Sequence, residues 1–314
     1  MSTLKLLFAS DIHFSVDLRE EMAEAGPLLP ADTYDHLQDG HLVWHNTMLV
    51  EQMARMFDAL EQLIRRESPD LTIFTGDLVN TNWAPNVSAV ASRVSALPSA
   101  TRLVTGNHDI YLSGSECRLQ ERIKPADYTT GLRHELVDDI GLIYLDLFVH
   151  HTGGAVAKAT DPSDAGAATR YRAQDIAESI ALLDRLPERR FLVIGHFPMI
   201  SPDERLRAPG RKIGWNWPSA AGLAPRLAQP GNLLGVICGH QHFAHWQRCA
   251  HSFHWTLPAL VEYPCAAAVL NITRSEVRGH LVIPDETLSE LSFDRTRVQW
   301  PAGEATDRDF RWPS

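Results

Sequence analysis

Short apolar runs of strand length alternate along this chain with stretches whose apolar residues recur at helical spacing. Leu4 to Ala9 reads as a buried first strand. From Val43 to Arg66, Met48, Met53, Met56, Phe57, Leu60, Leu63 and Ile64 mark one face of a helix, which Ser68-Pro69 stops. Leu71 to Thr75 predicts a second strand, residues about 86 to 97 a short helix, and Thr101 to Thr105 a third strand. Gly141 to Phe148 predicts a further strand and residues about 171 to 186 a further helix, before two more strands at Phe191 to Ile194 and Leu234 to Cys238. Polar stretches at about 14–40 and 153–169 predict loops.

Alternation of this kind implies βαβ units around a mostly parallel sheet. Beyond residue 250 the texture changes to β-like runs with little helix between them: Phe253 to Leu260, Ala266 to Ile272, Val277 to Pro284 and Leu291 to Val298. These predict antiparallel strands of a second sheet at about 253–298, followed by a polar C-terminal tail at about 299–314. The expectation is an α/β chain with both sheets in a single domain spanning 1–314.

Five of the apolar runs end in a polar cluster led by Gly or Ser: Ser10-Asp11-Ile12-His13, Gly76-Asp77, Gly106-Asn107-His108-Asp109, Gly195-His196 and Gly239-His240-Gln241-His242. Ligands of parallel sheets bind beyond the strands' carboxyl ends, where all five clusters fall. Asp11, His13, Asp77, Asn107, His196, His240 and His242 offer carboxylate, imidazole and amide oxygen, donors suited to Mn, Fe or Zn. Seven ligands exceed the needs of one ion and suit two divalent ions sharing a carboxylate, for which Asp77 is the natural bridge. A pair of ions makes hydroxide available near neutrality and clamps a phosphoryl group for in-line attack. His108, beside the ligand Asn107, suits a proton donor to the leaving oxygen, with Asp109 holding its tautomer.

With these blocks in this order, the chain resembles the calcineurin-like metallophosphoesterase family, whose signature reads D-x-H, GD, GNH[D/E], GH and GHxH. The likeness covers roughly residues 4 to 245. It implies a four-layer αββα sandwich, two mixed β-sheets flanked by helices. It also implies one metal held by Asp11, His13, Asp77 and His242, a second held by Asp77, Asn107, His196 and His240, a bridging hydroxide as nucleophile, and assistance from His108. The implied activity is hydrolysis of a phosphoester of a small soluble compound, with a phosphodiester such as a cyclic nucleotide or glycerophosphodiester favoured over a monoester. A nuclease and a metal-binding scaffold without turnover are the alternatives.

Composition narrows the partners. A formal charge of -10 argues against a phosphate-backbone binder and hence against nucleic acid. No apolar run approaches the roughly 20 residues needed to cross a bilayer, and Leu6 to Ala9 is interrupted too soon for a leader peptide. With four scattered cysteines and no paired motif, a cytoplasmic location is expected.

Weaker signals have two readings each. Arg205, Arg207, Arg211, Lys212, Trp215 and Trp217 suit a loop, 197–218, that grips phosphate or stacks a base; they equally suit a solvated loop with an anchored Trp. The loop at 14–40 suits a lid contacting substrate through Asp17, Arg19 or His36, or an exposed excursion. Asn80 is a candidate to orient water or substrate. His41 and His45 have helical metal spacing but no third ligand, and His150, His151, His251, His254 and Cys238 read as structural.

Overall fold

A computed structural model of the chain describes residues 3–25, 50–110, 132–149, 169–200, 223–296 and 300–313. In chain order its elements begin with β1 (Leu4–Ala9), α1 (Leu18–Ala25), α2 (Val50–Glu67), β2 (Leu71–Phe74), α3 (Ala84–Ser95) and β3 (Thr101–Leu103). They continue with β4 (Arg133–Val137), β5 (Ile140–Tyr144), β6 (Leu147–Val149), β7 (Thr169–Tyr171), α4 (Ala173–Arg185), β8 (Arg190–Ile194), α5 (Ala224–Ala228) and β9 (Leu233–Cys238). The last are β10 (His245–Cys249), β11 (Ser252–Thr256), β12 (Ala267–Ile272), β13 (Glu276–Val282), α6 (Glu286–Thr296), α7 (Ala305–Arg308) and β14 (Asp309–Pro313).

Two mixed six-stranded sheets form, in the orders β14-β13-β12-β1-β2-β3 and β10-β11-β9-β8-β5-β4. In the first, β1, β2 and β3 run parallel while β12 lies antiparallel against β1. In the second, β5, β8, β9 and β11 are parallel. The layering follows from alternation within strands. Leu4, Leu6 and Phe8 of β1 pack with Leu192 and Ile194 of β8 between the sheets, while Leu7 and Ala9 turn outward to Met53, Phe57 and Leu60 of α2 and Val87 and Val90 of α3. On the far side Phe191 and Val193 of β8 pack against Ile176, Leu182 and Leu183 of α4. Helices therefore flank both sheets, as expected.

Five expectations change. The run Ala266 to Pro284 enters the first sheet as β12 and β13, not the second. Leu291 to Val298 reads as a strand in the sequence, but residues up to Thr296 belong to α6, because Asp285 caps a helix there: its Oδ1 accepts Leu288 N at 3.1 Å and its carbonyl accepts Ser289 N. Residues 300–313 are structured, and β14 closes the first sheet by burying Phe310 and Trp312 while Asp309, Arg311 and Pro313 face outward. Period-two alternation over five residues explains the strand. Within the 14–40 loop, residues 18–25 are α1, and Asp17 caps it by accepting Arg19 N and Glu20 N at 2.9 and 3.1 Å. The run from Gly141 also divides into β5 and β6, which pairs with β7.

The parallel strands β1, β2 and β3 of one sheet and β8 and β9 of the other bring their carboxyl ends to the same edge. Between β3 and the turn after it, Asp146 accepts Thr105 N at 2.9 Å and is gripped by Arg133, so the Asn107 turn is tied to the second sheet.

Candidate metal centre

Each of the five turns leaves its strand abruptly, and several do so in left-handed backbone. Asp11, His13, Asp77, His240 and His242 have φ between 46° and 69°. Non-glycine residues enter this region at a cost, and such conformations cluster where function over-determines the backbone. Gly76, at φ 98°, has no such penalty, and a Cβ there would stand 2.5 Å from His196 Nδ1. At Gly106 a Cβ would run into Asp77 Oδ1 and Asp77 N, so only a glycine lets the two turns touch.

The result is a buried cluster built from both sheets. Asp11 Oδ1 lies 3.2 Å from His242 Nε2 and 3.9 Å from His13 Nε2. The two Nε2 atoms of His13 and His242 are 3.2 Å apart. Asp77 Oδ2 lies 3.9 Å from His13 Nε2 and 3.1 Å from His196 Nε2, which is 3.2 Å from Asn107 Oδ1. Three overlapping sets have ligand atoms within 4.8 Å of one another: Asp11, His13 and His242; His13, Asp77 and His108; Asp77, His196 and His240. All seven candidate ligands thus meet, and Asp77 belongs to two of the sets. Asp11, His13, Asp77, Asn107 and His196 are buried, while His240 and His242 are partly exposed.

The rings are held in the form that coordination needs. His196 Nδ1 stands 2.8 Å from the Thr75 carbonyl, and His242 Nδ1 3.0 Å from Glu262 Oε1. Both partners are acceptors, so each Nδ1 carries a proton and each Nε2 faces the cluster, where it can coordinate once its own proton is displaced. Ligands at about 2.0–2.1 Å around a tetrahedral ion stand roughly 3.3 Å from one another, close to the spacings found among Asp11, His13, Asp77, His196, Asn107 and His242. The donor set and its spacing fit divalent metal ions.

Charges in the cluster respond to one another. Burial would raise the Asp77 carboxyl, but His196 and His108 more than reverse this and hold it well below the usual range. Against burial, the Asp77 charge pushes His196 up to about 9, and Glu262 and Asp11 push His242 up as well. Burial and the neighbouring His196 bring His240 down to about 3. In the metal-free protein, protons on His196 and His242 therefore occupy the place of cationic charge between the acids.

His108 shares a set with His13 and Asp77; burial, opposed by Asp77, lowers its pKa. Its Nδ1 lies 2.6 Å from the Asn80 carbonyl and its ring meets that of His13 edge-on at 4.5 Å. Asp109 does not hold the His108 tautomer, contrary to expectation; the acceptor at Nδ1 is the Asn80 carbonyl. Asp109 Oδ2 accepts the amides of Asp77 and Gly106, and Oδ1 those of Leu78 and Val79, at 2.9 to 3.2 Å, which binds the second and third turns together. The Asn80 side chain is buried and donates to Glu21 Oε1 at 3.0 Å. Arg207, Arg211 and Trp215, with the rest of the 201–222 segment, lie outside the described residues, as do His36, His41, His45, His150 and His151. His254 Nε2 accepts Met199 N at 3.1 Å in a fully buried setting.

Sequence reasoning missed Glu262 and Glu21. Neither follows a strand-ending glycine or shares a motif with the residue it contacts, so no local signal marks them.

A family model described as calcineurin-like phosphoesterase matches residues 4–244. Among solved structures, the chain is similar to a dimetal phosphatase from Danio rerio at 13% identity, with 90% of this chain and 97% of that chain covered and a TM-score of 0.64. It is also similar to a phosphoesterase from E. coli at 12% identity, covering 90% and 94%, with a TM-score of 0.38. At 13% identity the first likeness is one of fold. Comparison with curated proteins finds no match.

Proposed function

The chain belongs to the calcineurin-like phosphoesterase family, and from that premise we propose that it hydrolyses a phosphoester of a small soluble compound with two divalent cations held on either side of Asp77. The observation that carries the reading is the sharing of Asp77 between ligand sets that draw on five turns and both sheets. Asp11, His13, Asp77 and His242 would hold one ion; Asp77, Asn107, His196 and His240 would hold the other. Mn, Fe and Zn all suit these donors. When bound, such ions acidify water and neutralise phosphoryl charge.

The chain's own groups do the remaining work. Thr75 and Glu262 fix the ring planes of His196 and His242. His108, whose Nδ1 proton is committed to the Asn80 carbonyl, would give the departing oxygen a second proton held at Nε2 in the imidazolium form, and so return to the neutral Nδ1–H ring. Among the described residues, the groups converging on the cluster are carboxylates, imidazoles and an amide. On the resemblance of its sequence blocks, a diester is favoured over a monoester as the substrate.

The test is to strip the protein of metal, restore Mn, and assay para-nitrophenyl phosphate beside bis(para-nitrophenyl) phosphate. Metal-dependent turnover, faster on the diester, is the expected result. Faster turnover of the monoester replaces the diester reading, and no metal-dependent turnover of either overturns the function.

A further inference from the structure

One buried acid near the cluster holds none of the candidate ligands. Glu21, on α1, is 0% exposed, and its partners are neutral donors. Ser15 Oγ donates to Oε2 at 2.6 Å, Asn80 Nδ2 donates to Oε1 at 3.0 Å, and Thr81 Oγ1 donates to the same oxygen. Burying a carboxylate among uncharged groups is costly, so its retention needs a reason. Its position supplies one.

Past the ends of β1 and β2, residues 11–14 and 77–80 continue side by side. His13 N donates to Asp77 O at 2.9 Å, Phe14 N to Leu78 O at 2.9 Å, and Asn80 N to Phe14 O at 3.0 Å, with a parallel bridge between Phe14 and Val79. This extension ends at Asn80, whose carbonyl is the acceptor for His108 Nδ1. Asn80 is thus held at three points: its amide by Phe14, its side chain by Glu21, its carbonyl by His108. α1 is anchored over the same segment a second time, where Trp83 Nε1 donates to Glu24 Oε2 at 2.8 Å.

We propose that Glu21 is a positioning residue for His108: by gripping the Asn80 and Thr81 side chains it fixes the direction of the Asn80 carbonyl, and through it the plane and tautomer of the His108 ring. α1 then connects the stretch after the first metal-binding turn to the proton donor. With Glu21 in place, His108 Nε2 keeps a constant aim at the leaving oxygen. Without it, the carbonyl is free to rotate and the ring moves with it.

The inference rests on the phosphoester reading for its kinetic consequence but not for its geometric one, so the test has two arms. In the first, ring-nitrogen NMR of the metal-free protein tracks the His108 Nδ1 proton. The wild type is expected to show a single hydrogen-bonded signal, and Glu21→Leu, which keeps most of the bulk and removes both acceptor oxygens, to broaden or split it. An unchanged signal overturns the proposal. In the second, the Mn-loaded proteins are compared on aryl and alkyl phosphodiesters. General-acid assistance contributes about 100-fold or more where the leaving group is poor and little where it is good. Glu21→Leu is therefore expected to lose about 30-fold in kcat on alkyl esters and less than about 3-fold on para-nitrophenyl esters, with KM and bound Mn unchanged. Equal losses on both would mark a merely structural role and overturn it. Should Glu21→Leu fail to fold, Asn80→Ala, which cuts the grip but keeps the carbonyl, carries both arms with the same expectations. A wild type that hydrolyses no phosphoester defeats the function, while the first arm still decides the positioning.

Discussion

Glu262 Oε1 lies 3.0 Å from His242 Nδ1, while the opposite nitrogen of the same ring lies 3.2 Å from Asp11 Oδ1. The imidazole is thereby strung between two carboxylates, one that sets its tautomer and one that shares its ligand role. Removing the outer partner of such a histidine typically costs 10–100-fold in metal affinity. Glu262→Gln, which keeps the shape and loses the charge, is expected to weaken Mn binding by about 10-fold. Competition with a chelator measures this directly.

Asp77→Asn is expected to act more severely. The amide can still accept His108 N, which Asp77 Oδ1 does at 2.8 Å, so the turn should persist. The shared anionic oxygen is lost. Metal content per chain should fall, and turnover should drop by more than the roughly 100-fold seen for changes outside the ligand set. Metal analysis of the folded variant, beside its circular dichroism spectrum, separates this outcome from unfolding.

Asp109→Asn tests the clasp between the second and third turns. A carboxylate accepts from four amides at once, whereas a carboxamide offers one oxygen and turns an N–H₂ group towards the others. Each stranded buried amide costs about 1–3 kcal/mol. Thermal melting should show Tm lower by roughly 4 °C or more, with a parallel loss of metal affinity because Gly106 and Asp77 no longer share an anchor.

The metal-free protein should lose stability between about pH 7 and 9. His196 is raised to about 9 and His242 is also raised, so both favour the folded state while protonated in it. That contribution is complete below the ordinary histidine value of 6.5 and disappears as pH rises through the folded values. His240 and His254, both lowered to about 3 by burial, act in the opposite sense but only below 6.5, and Asp109, raised to about 7, loses its contribution in the same sense as the raised histidines as it ionises around pH 7. Above pH 7 the raised histidines therefore decide the sign. Because cations displace the same protons, adding Mn in weak buffer at about pH 7.5 should acidify the solution. Melting curves at several pH values, with and without metal, check both statements.

The five turns are legible in the sequence because each joins two local signals: an apolar run that must be a strand, and a glycine or serine that ends it in polar side chains. Asp77 as the shared acid can be read from chemistry alone. The partners that orient the ligands cannot. Glu262 sits in a segment with no strand-ending signal, and Glu21 is an acid in an ordinary amphipathic stretch, so nothing nearby announces that either is buried against the site. At the C-terminal end the signal is present but short: Phe310 and Trp312 alternate with polar residues for only five positions, and five positions in a charged stretch resemble a tail. The run from Leu291 misleads because a single capping residue, Asp285, outweighs the apolar character of the residues after it.

The pairing of β1 with β12, in which Leu4 lies opposite Ile272, has a consequence for how the protein is made. The strand that ends at Asp11 and His13 leaves the ribosome long before its antiparallel neighbour does. Contacts so distant in sequence are slow to form. Until synthesis has passed Ile272, Asp11 and His13 have no finished sheet beneath them, and cation loading waits for β12.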